Sequence, residues 1–306
     1  MHWQSDIKAA RDRIAGYVRR TPVMDMQIEG LTHPVALKLE LAQHTGSFKP
    51  RGAFNTLLAS DIPAGGIVAA SGGNHGAAVA YAASRLGHRA RIYVPEIAGP
   101  SKIALIERTG ADLVVVEGKY FDALKAARAY EAETGAIQIH AYDLNTTVAG
   151  QGTVMLEWEE QGLEADTVLI AVGGGGLIGG AIAWVNGRRK VVAIEPEECP
   201  SLHGALQAGK PVATKAGGIA ANALGPRQIG DICFGLAQAQ NIKSLLVSDD
   251  EIIEAQNLLW REARILTEPA GAAAMAALTS SAYKPAPDER VAVLICGGNI
   301  APDPLA

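Results

Sequence analysis

The sequence predicts an α/β protein built on open, twisted, mainly parallel sheets flanked by helices. Three observations predict it. Strand-like and helix-like segments alternate from residue 36 onward, the pattern that sets parallel strands side by side with helices on both faces. The strand-like runs, such as Ile67-Val68-Ala69-Ala70, are short and apolar, as buried strands are. Glycine-rich loops at 71–76, 173–176 and 296–299 each follow such a run, and ligands in these folds sit at the carboxyl ends of strands.

Taken in order, residues 5–18 read as an amphipathic helix. Strands are expected at 36–40, 67–70, 90–94, 113–117, 137–140, 168–172, 191–195, 244–247 and 291–296. Helices fit between them, for example at 77–83, 102–109, 120–134, 154–161 and 249–264. There is no internal repeat and no low-complexity linker. At 306 residues the chain can bury a large core in one or two domains.

Composition excludes several function classes. A net charge of −5 and 48% hydrophobic residues fit a soluble globular protein. No basic stripe interleaved with aromatics points to nucleic acid, and no apolar run is long enough to span a bilayer. The first twenty residues lack the apolar core and cleavage site of a secretory signal. Cys199, Cys233 and Cys296 are widely spaced, which suggests reduced thiols in a cytoplasm. His33, His44, His88, His140 and His203 show no metal spacing. The chain ends soon after the Cys296 motif, so no C-terminal effector domain is expected.

Three motifs carry chemistry. In Ser47-Phe48-Lys49-Pro50-Arg51-Gly52-Ala53 a lysine stands where a helix can start, because proline suits the first helical turn. A lysine fixed there can present its amine to a cleft, and such amines form Schiff bases with carbonyl groups when their pKa is lowered. In Ser71-Gly72-Gly73-Asn74-His75-Gly76 a strand gives way to a helix, so free N–H groups and short polar side chains form an anion site. An ordinary capped turn is the alternative. Gly173-Gly174-Gly175-Gly176 follows a strand and lets the backbone approach a phosphate closely. It is neither a nucleoside-triphosphate loop nor a clear dinucleotide fingerprint, although Glu195 lies about twenty residues on.

Together these residues resemble the pyridoxal-phosphate enzymes of the tryptophan-synthase β-subunit fold type, in the serine/threonine dehydratase and serine racemase branch. The resemblance also rests on Thr21-Pro22, Ala149-Gly150-Gln151-Gly152-Thr153, Glu195-Pro196, Glu268-Pro269-Ala270-Gly271 and Cys296-Gly297-Gly298-Asn299. It implies a large domain, 1–66 with 144–306, that holds the cofactor. A small domain, 67–143, would hold the substrate carboxylate and close over it. Carried over, it implies that Lys49 forms the internal aldimine and carries protons, and that Phe48 packs on the ring. Asn74 would bond the ring hydroxyl, Gly173, Gly174, Gly175 and Gly176 the phosphate, and Ser71, Gly72, Asn74 and His75 the substrate carboxylate. Cys296 would face the pyridine nitrogen as a neutral group, which suits β-elimination.

The implied activity is deamination of L-threonine or L-serine to a 2-oxo acid and ammonia in a cytoplasmic homodimer. A racemase, a 3-hydroxyaspartate ammonia-lyase, a β-replacement synthase and a non-catalytic cofactor-binding protein are the alternatives. Gly72 stands where serine racemases carry the serine that reprotonates the opposite face, so racemisation is disfavoured, and Gly72→Ser is expected to favour it. The cation site of this branch would use Glu195 and an aspartate six residues on. That position is Ser201, so no metal is expected; a capping role is the alternative for Glu195. Asn222 stands where many relatives have aspartate and has no assigned role.

Overall fold

The structure, a computed structural model, describes residues 2–98, 100–118 and 120–300. The expected chain end at 301–306 lies outside them. Ten strands run β1 (Val23–Met26), β2 (Val35–Leu39), β3 (Ile67–Ala70), β4 (Ala90–Pro95), β5 (Asp112–Val116), β6 (Ile137–Gln138), β7 (Thr167–Ala171), β8 (Lys190–Pro196), β9 (Lys243–Val247) and β10 (Val291–Ile295). Helices α1 (Trp3–Ile14), α2 (Lys49–Leu58), α3 (Asn74–Arg85), α4 (Pro100–Glu107), α5 (Tyr120–Thr134) and α6 (Asn145–Glu160) belong to the first half. In the second half come α7 (Gly176–Val185), α8 (Ser201–Ala208), α9 (Ala221–Leu224), α10 (Asp231–Ala239), α11 (Asp249–Ala263) and α12 (Pro269–Thr279).

The strands form two sheets, as the α/β reading requires. A six-stranded sheet has the order β1-β2-β10-β7-β8-β9 and a four-stranded sheet the order β5-β4-β3-β6. Every pairing is parallel except that of the edge strand β1 with β2. Side chains alternate across the smaller sheet. Ile67, Ala69, Ile92 and Val94 pack with α3 on one face, while Val68, Ala70 and Tyr93 meet Ala123 and Ala127 of α5 on the other. Phe54 and Leu57 of α2, and Ile14 of α1, join the first of these cores. The helix that begins at Lys49 therefore packs on α3 and joins the smaller sheet's core although it precedes that sheet's strands.

Several expected boundaries move, each for a physical reason. The first helix ends at Ile14, and Gly16 turns the chain at φ +83°, a value glycine adopts freely. The strand expected to 140 stops at Gln138 because His140 Nδ1 accepts from the N–H groups of Tyr142 and Asp143 and folds a turn. The helix expected over 154–161 starts nine residues earlier. Gly150 and Gly152 lie inside this helix and serve as contact points: a Cβ at Gly150 would lie 2.7 Å from Gly52 Cα, and one at Gly152 3.0 Å from Gly180 O.

Candidate active site

The strand ends bring the three motifs together. Ser47 bridges Gly297, and Phe48 N–H donates to Cys296 O at 3.1 Å, so the chain before Lys49 is pinned to the end of β10. Pro50 occupies the first turn of α2. The half-buried Lys49 donates through its amine to Ala141 O at 3.1 Å, and the amine lies 5.0 Å from the centre of the Phe48 ring. Burial lowers its pKa to about 8, with Cys296 and Glu268 pulling the other way. An ammonium taken from water loses hydration that one carbonyl does not replace, so the neutral amine is favoured.

The Ser71–Gly76 turn leaves β3 and opens α3. Gly73 is its N-cap and no side chain caps the helix. The first helical bond is from Ala77 N–H to Gly73 O, which leaves the N–H groups of residues 74–76 outside the helical ladder. Ser71 Oγ accepts from Gly73 N–H at 3.3 Å. The His75 ring is buried and Nε2 lies 2.8 Å from Ile139 O. Burial, then the nearby Lys49 charge, lowers its pKa to about 3, so Nε2 carries the proton and donates. Its ring is engaged with Ile139, and what it offers an anion is its backbone N–H. Gly72 is closely packed. A Cβ there would lie 2.4 Å from Ala98 Cβ and 2.9 Å from Val94 Cγ1, so a serine cannot enter unless Ala98 and Val94 give way.

The tetraglycine loop follows β7. Gly175, at φ +93°, is the uncapped N-cap of α7. Neighbours fill the space of every missing side chain. A Cβ would meet Leu224 Cα at 2.9 Å from Gly173, the Tyr142 ring at 2.2 Å from Gly174, Cys233 Cβ at 2.5 Å from Gly175 and Tyr142 Cα at 3.0 Å from Gly176. Tyr142 adjoins Ala141, the acceptor for Lys49. One turn, 140–143, thus touches both the amine and the tetraglycine loop. Asp143 completes the turn by accepting from Asp231 and Ile232 N–H at 3.1 and 3.0 Å, at the start of α10.

Cys296 closes the site at the end of β10. Its buried thiol donates to Ala270 O at 3.4 Å, and burial pushes its pKa up, so it stays neutral. Glu195 lies apart from this cluster. Its carboxylate accepts from Leu202 and His203 N–H at 2.7 and 2.8 Å and from Ser244 Oγ at 2.5 Å, and so caps α8. Burial raises its pKa to about 7 against those bonds. Among the described residues no three His, Cys, Asp or Glu side chains are grouped to hold a metal ion, and no helix is long and apolar enough to cross a membrane. Asn222 is exposed on α9.

Sequence reasoning did not single out Ala141, Tyr142, Glu268 or Asn299. Glu268 and Asn299 stood in quoted motifs with no role. In the structure Asn74 Nδ2 donates to Glu268 Oε1 at 2.6 Å and Asn299 Nδ2 donates to Asn74 Oδ1 at 2.8 Å.

An amine with its charged form disfavoured is suited to condensing with an aldehyde, and the uncapped starts of α3 and α7 would suit a phosphorylated one. That class of enzyme is also what comparison finds. The chain belongs to the pyridoxal-phosphate dependent enzyme family, whose model matches residues 14–297. It is 36% identical over 304 residues to a phenylserine dehydratase of Ralstonia pickettii, covering 96% of this chain and 92% of that protein. It is 35% identical over 303 residues to an L-threonine ammonia-lyase of Thermotoga maritima, covering 96% and 75%. The structure of maize serine racemase superposes with a TM-score of 0.91 at 31% identity, covering 98% of this chain and 94% of that one. The cofactor of the family is pyridoxal phosphate, and the residues fit it. Lys49 supplies an amine of lowered pKa, the uncapped start of α7 leaves N–H groups for a phosphate, and the buried Ser47 hydroxyl beside Phe48 has no hydrogen-bond partner among the described residues.

Proposed function

We propose that the protein converts L-threonine or L-serine to a 2-oxo acid and ammonia by β-elimination. The observation that carries this reading is the Lys49 amine inside the cluster of strand ends, 3.1 Å from Ala141 O and 5.0 Å from the centre of the Phe48 ring, where burial lowers its pKa to about 8. Bound pyridoxal phosphate supplies an aldehyde and an electron-withdrawing ring. Lys49 would hold that aldehyde, and its Nζ, when free and neutral, would be the base that takes the substrate's α-proton. About half of such amines are neutral at pH 8, which suits a general base. The N–H groups at the start of α3, with Ser71, take the substrate carboxylate, and those of Gly173–Gly176 take the phosphate. Asn74 would donate to the ring hydroxyl, Phe48 would pack on the ring, and Cys296 would offer the pyridine nitrogen a neutral thiol. Gly72 leaves the opposite face without a proton donor, which favours elimination over racemisation.

Borohydride reduction and peptide mapping test the first part, and a panel of L-serine, L-threonine, 3-phenylserine and 3-hydroxyaspartate tests the second. The Ralstonia pickettii relative is the reason for including 3-phenylserine. The expected result is a cofactor label on Lys49, with 2-oxo acid released from L-serine or L-threonine faster than D-serine forms. A label on another lysine, or D-serine appearing as fast as pyruvate, overturns the reading.

A further inference from the structure

We propose that Glu268 is a positioning residue: its carboxylate, with the Asn299 amide opposite, locks Asn74 in the one orientation that leaves an N–H free for the cofactor ring. The inference rests on the reading that Lys49 and Asn74 hold the cofactor. It gives a role to the Glu268-Pro269-Ala270-Gly271 motif, which the proposed reaction leaves unused.

An asparagine amide can face either way, and its neighbours decide. Here both neighbours agree. An ionised Glu268 can only accept, so it faces Asn74 Nδ2, at 2.6 Å. The Asn299 amide nitrogen can only donate. It donates to Thr45 O at 2.7 Å and to Asn74 Oδ1 at 2.8 Å. Glu268 occupies one of the two Nδ2 hydrogens and leaves the other.

The surrounding backbone is shaped to this arrangement. A Cβ at Gly297 would lie 2.0 Å from Glu268 Oε1, and one at Gly46 would lie 2.3 Å from Asn299 Oδ1. A side chain at either glycine would displace the network. Thr45, whose carbonyl receives Asn299, sits at φ +59°, where a β-branched residue is an outlier that surroundings must impose. The relay Glu268–Asn74–Asn299–Thr45 thus links the start of α12, the start of α3, the turn after β10 and the loop that leads to Lys49.

Glu268 is 5% exposed. A buried carboxylate is costly without partners, and it stands at the N-cap of α12, where the helix dipole favours an anion. Its charge also acts on Lys49 and Cys296. Orientation and charge are separable by substitution. Glu268→Gln keeps the shape and an acceptor oxygen but removes the charge. Glu268→Ala removes both, and Asn299→Ala removes the opposite clamp without changing charge.

The test strips the cofactor from the whole protein and adds pyridoxal phosphate back. Three quantities are read: the Kd from the absorbance titration, the pH midpoint of the visible band without substrate, and the thermal midpoint of the cofactor-free protein. Glu268→Ala and Asn299→Ala should each weaken cofactor binding about ten-fold, the effect of one charge-assisted bond or its orienting partner. Glu268→Gln should lower the pH midpoint by about one unit, because losing a nearby negative charge disfavours the protonated form. Asn299→Ala should leave that midpoint in place. If Glu268→Ala does not fold, Glu268→Gln and Asn299→Ala decide. Variants that lose thermal stability while Kd and pH midpoint stay at wild-type values would reduce Glu268 to a cap of α12 and overturn the proposal. The reading it rests on fails separately, if borohydride fixes the cofactor of the wild type to a lysine other than Lys49.

Discussion

Lys49 sits where its charged form is disfavoured, and that has a measurable consequence for stability. Its folded pKa of about 8 lies below the ordinary value of 10.5. Between pH 8 and 10.5 the unfolded chain therefore binds more protons than the folded one, and stability rises with pH. The contribution is fully present above pH 10.5 and is lost as pH falls through 8. Its size is on the order of 3 kcal/mol, from the 2.5-unit difference between those two values. The stability of cofactor-free wild type, compared with that of Lys49→Met by urea unfolding, should gain across this window. Parallel curves from pH 7.5 to 10.5 would show that the amine is hydrated. At this scale the sequence revealed the lysine, because a proline after it marks a helix start. It did not reveal Glu268 as a partner of Asn74, since 194 residues separate them and only the fold joins them. Tyr142 was hidden for the same reason. Its ring is needed where Gly174 has no side chain, and a glycine run does not say what fills the space it leaves.

The element that matters most for the site is α2, and its first turn is anchored by buried ions. The Arg51 guanidinium meets both carboxylate oxygens of Glu40 at 2.8 Å and both of Glu157 at 3.0 Å. Lys38 Nζ adds a contact to Glu157 at 2.6 Å, and Thr21 Oγ1 donates to Glu40 at 2.5 Å. Burial opposes the charge on Glu157, but Arg51 and Lys38 outweigh it and hold its carboxyl below the usual range. Two cations thus balance two anions. Arg51→Met leaves one buried carboxylate uncompensated, which costs about 3–5 kcal/mol. Adding Glu40→Gln restores the charge balance and should recover part of that loss. Urea unfolding of the cofactor-free proteins measures both; a loss below about 1 kcal/mol for Arg51→Met would mean that water reaches the group. Elements were legible where apolar runs end in glycine turns, as at β3, β7 and β10. They were illegible where pattern and packing disagree. The edge strand β1, Val-Met-Asp-Met, offers no clean alternation. The first half of α6 is obscured by Gly150 and Gly152, glycines that close packing against α2 and α7 requires.

The two sheets of the whole molecule each contribute to the site, and we propose that residues 67–143 act as a domain that closes over the substrate while the rest of the chain holds the cofactor. The relay through Asn74 constrains how that domain can move. The start of α3 is bound to Glu268 and Asn299 of the larger sheet's body, and the 140–143 turn is bound to Lys49 and to the start of α10. Among the described residues, the strands β4 and β5 and the helix α5 make none of these bonds. Closure is therefore a rotation pivoting near Asn74 and the 140–143 turn, in which β4, β5 and α5 swing toward the cofactor and Asn74 stays in place. The swing would cover a substrate carboxylate held at the start of α3 and expel water around Lys49. Structures of the cofactor-loaded protein with and without a substrate analogue test it. The expected difference is a displacement of 90–134 that grows with distance from Asn74, with both Asn74 bonds retained. A rigid shift of all of 67–143 with those bonds broken would refute the pivot, and no shift beyond coordinate error would refute closure itself.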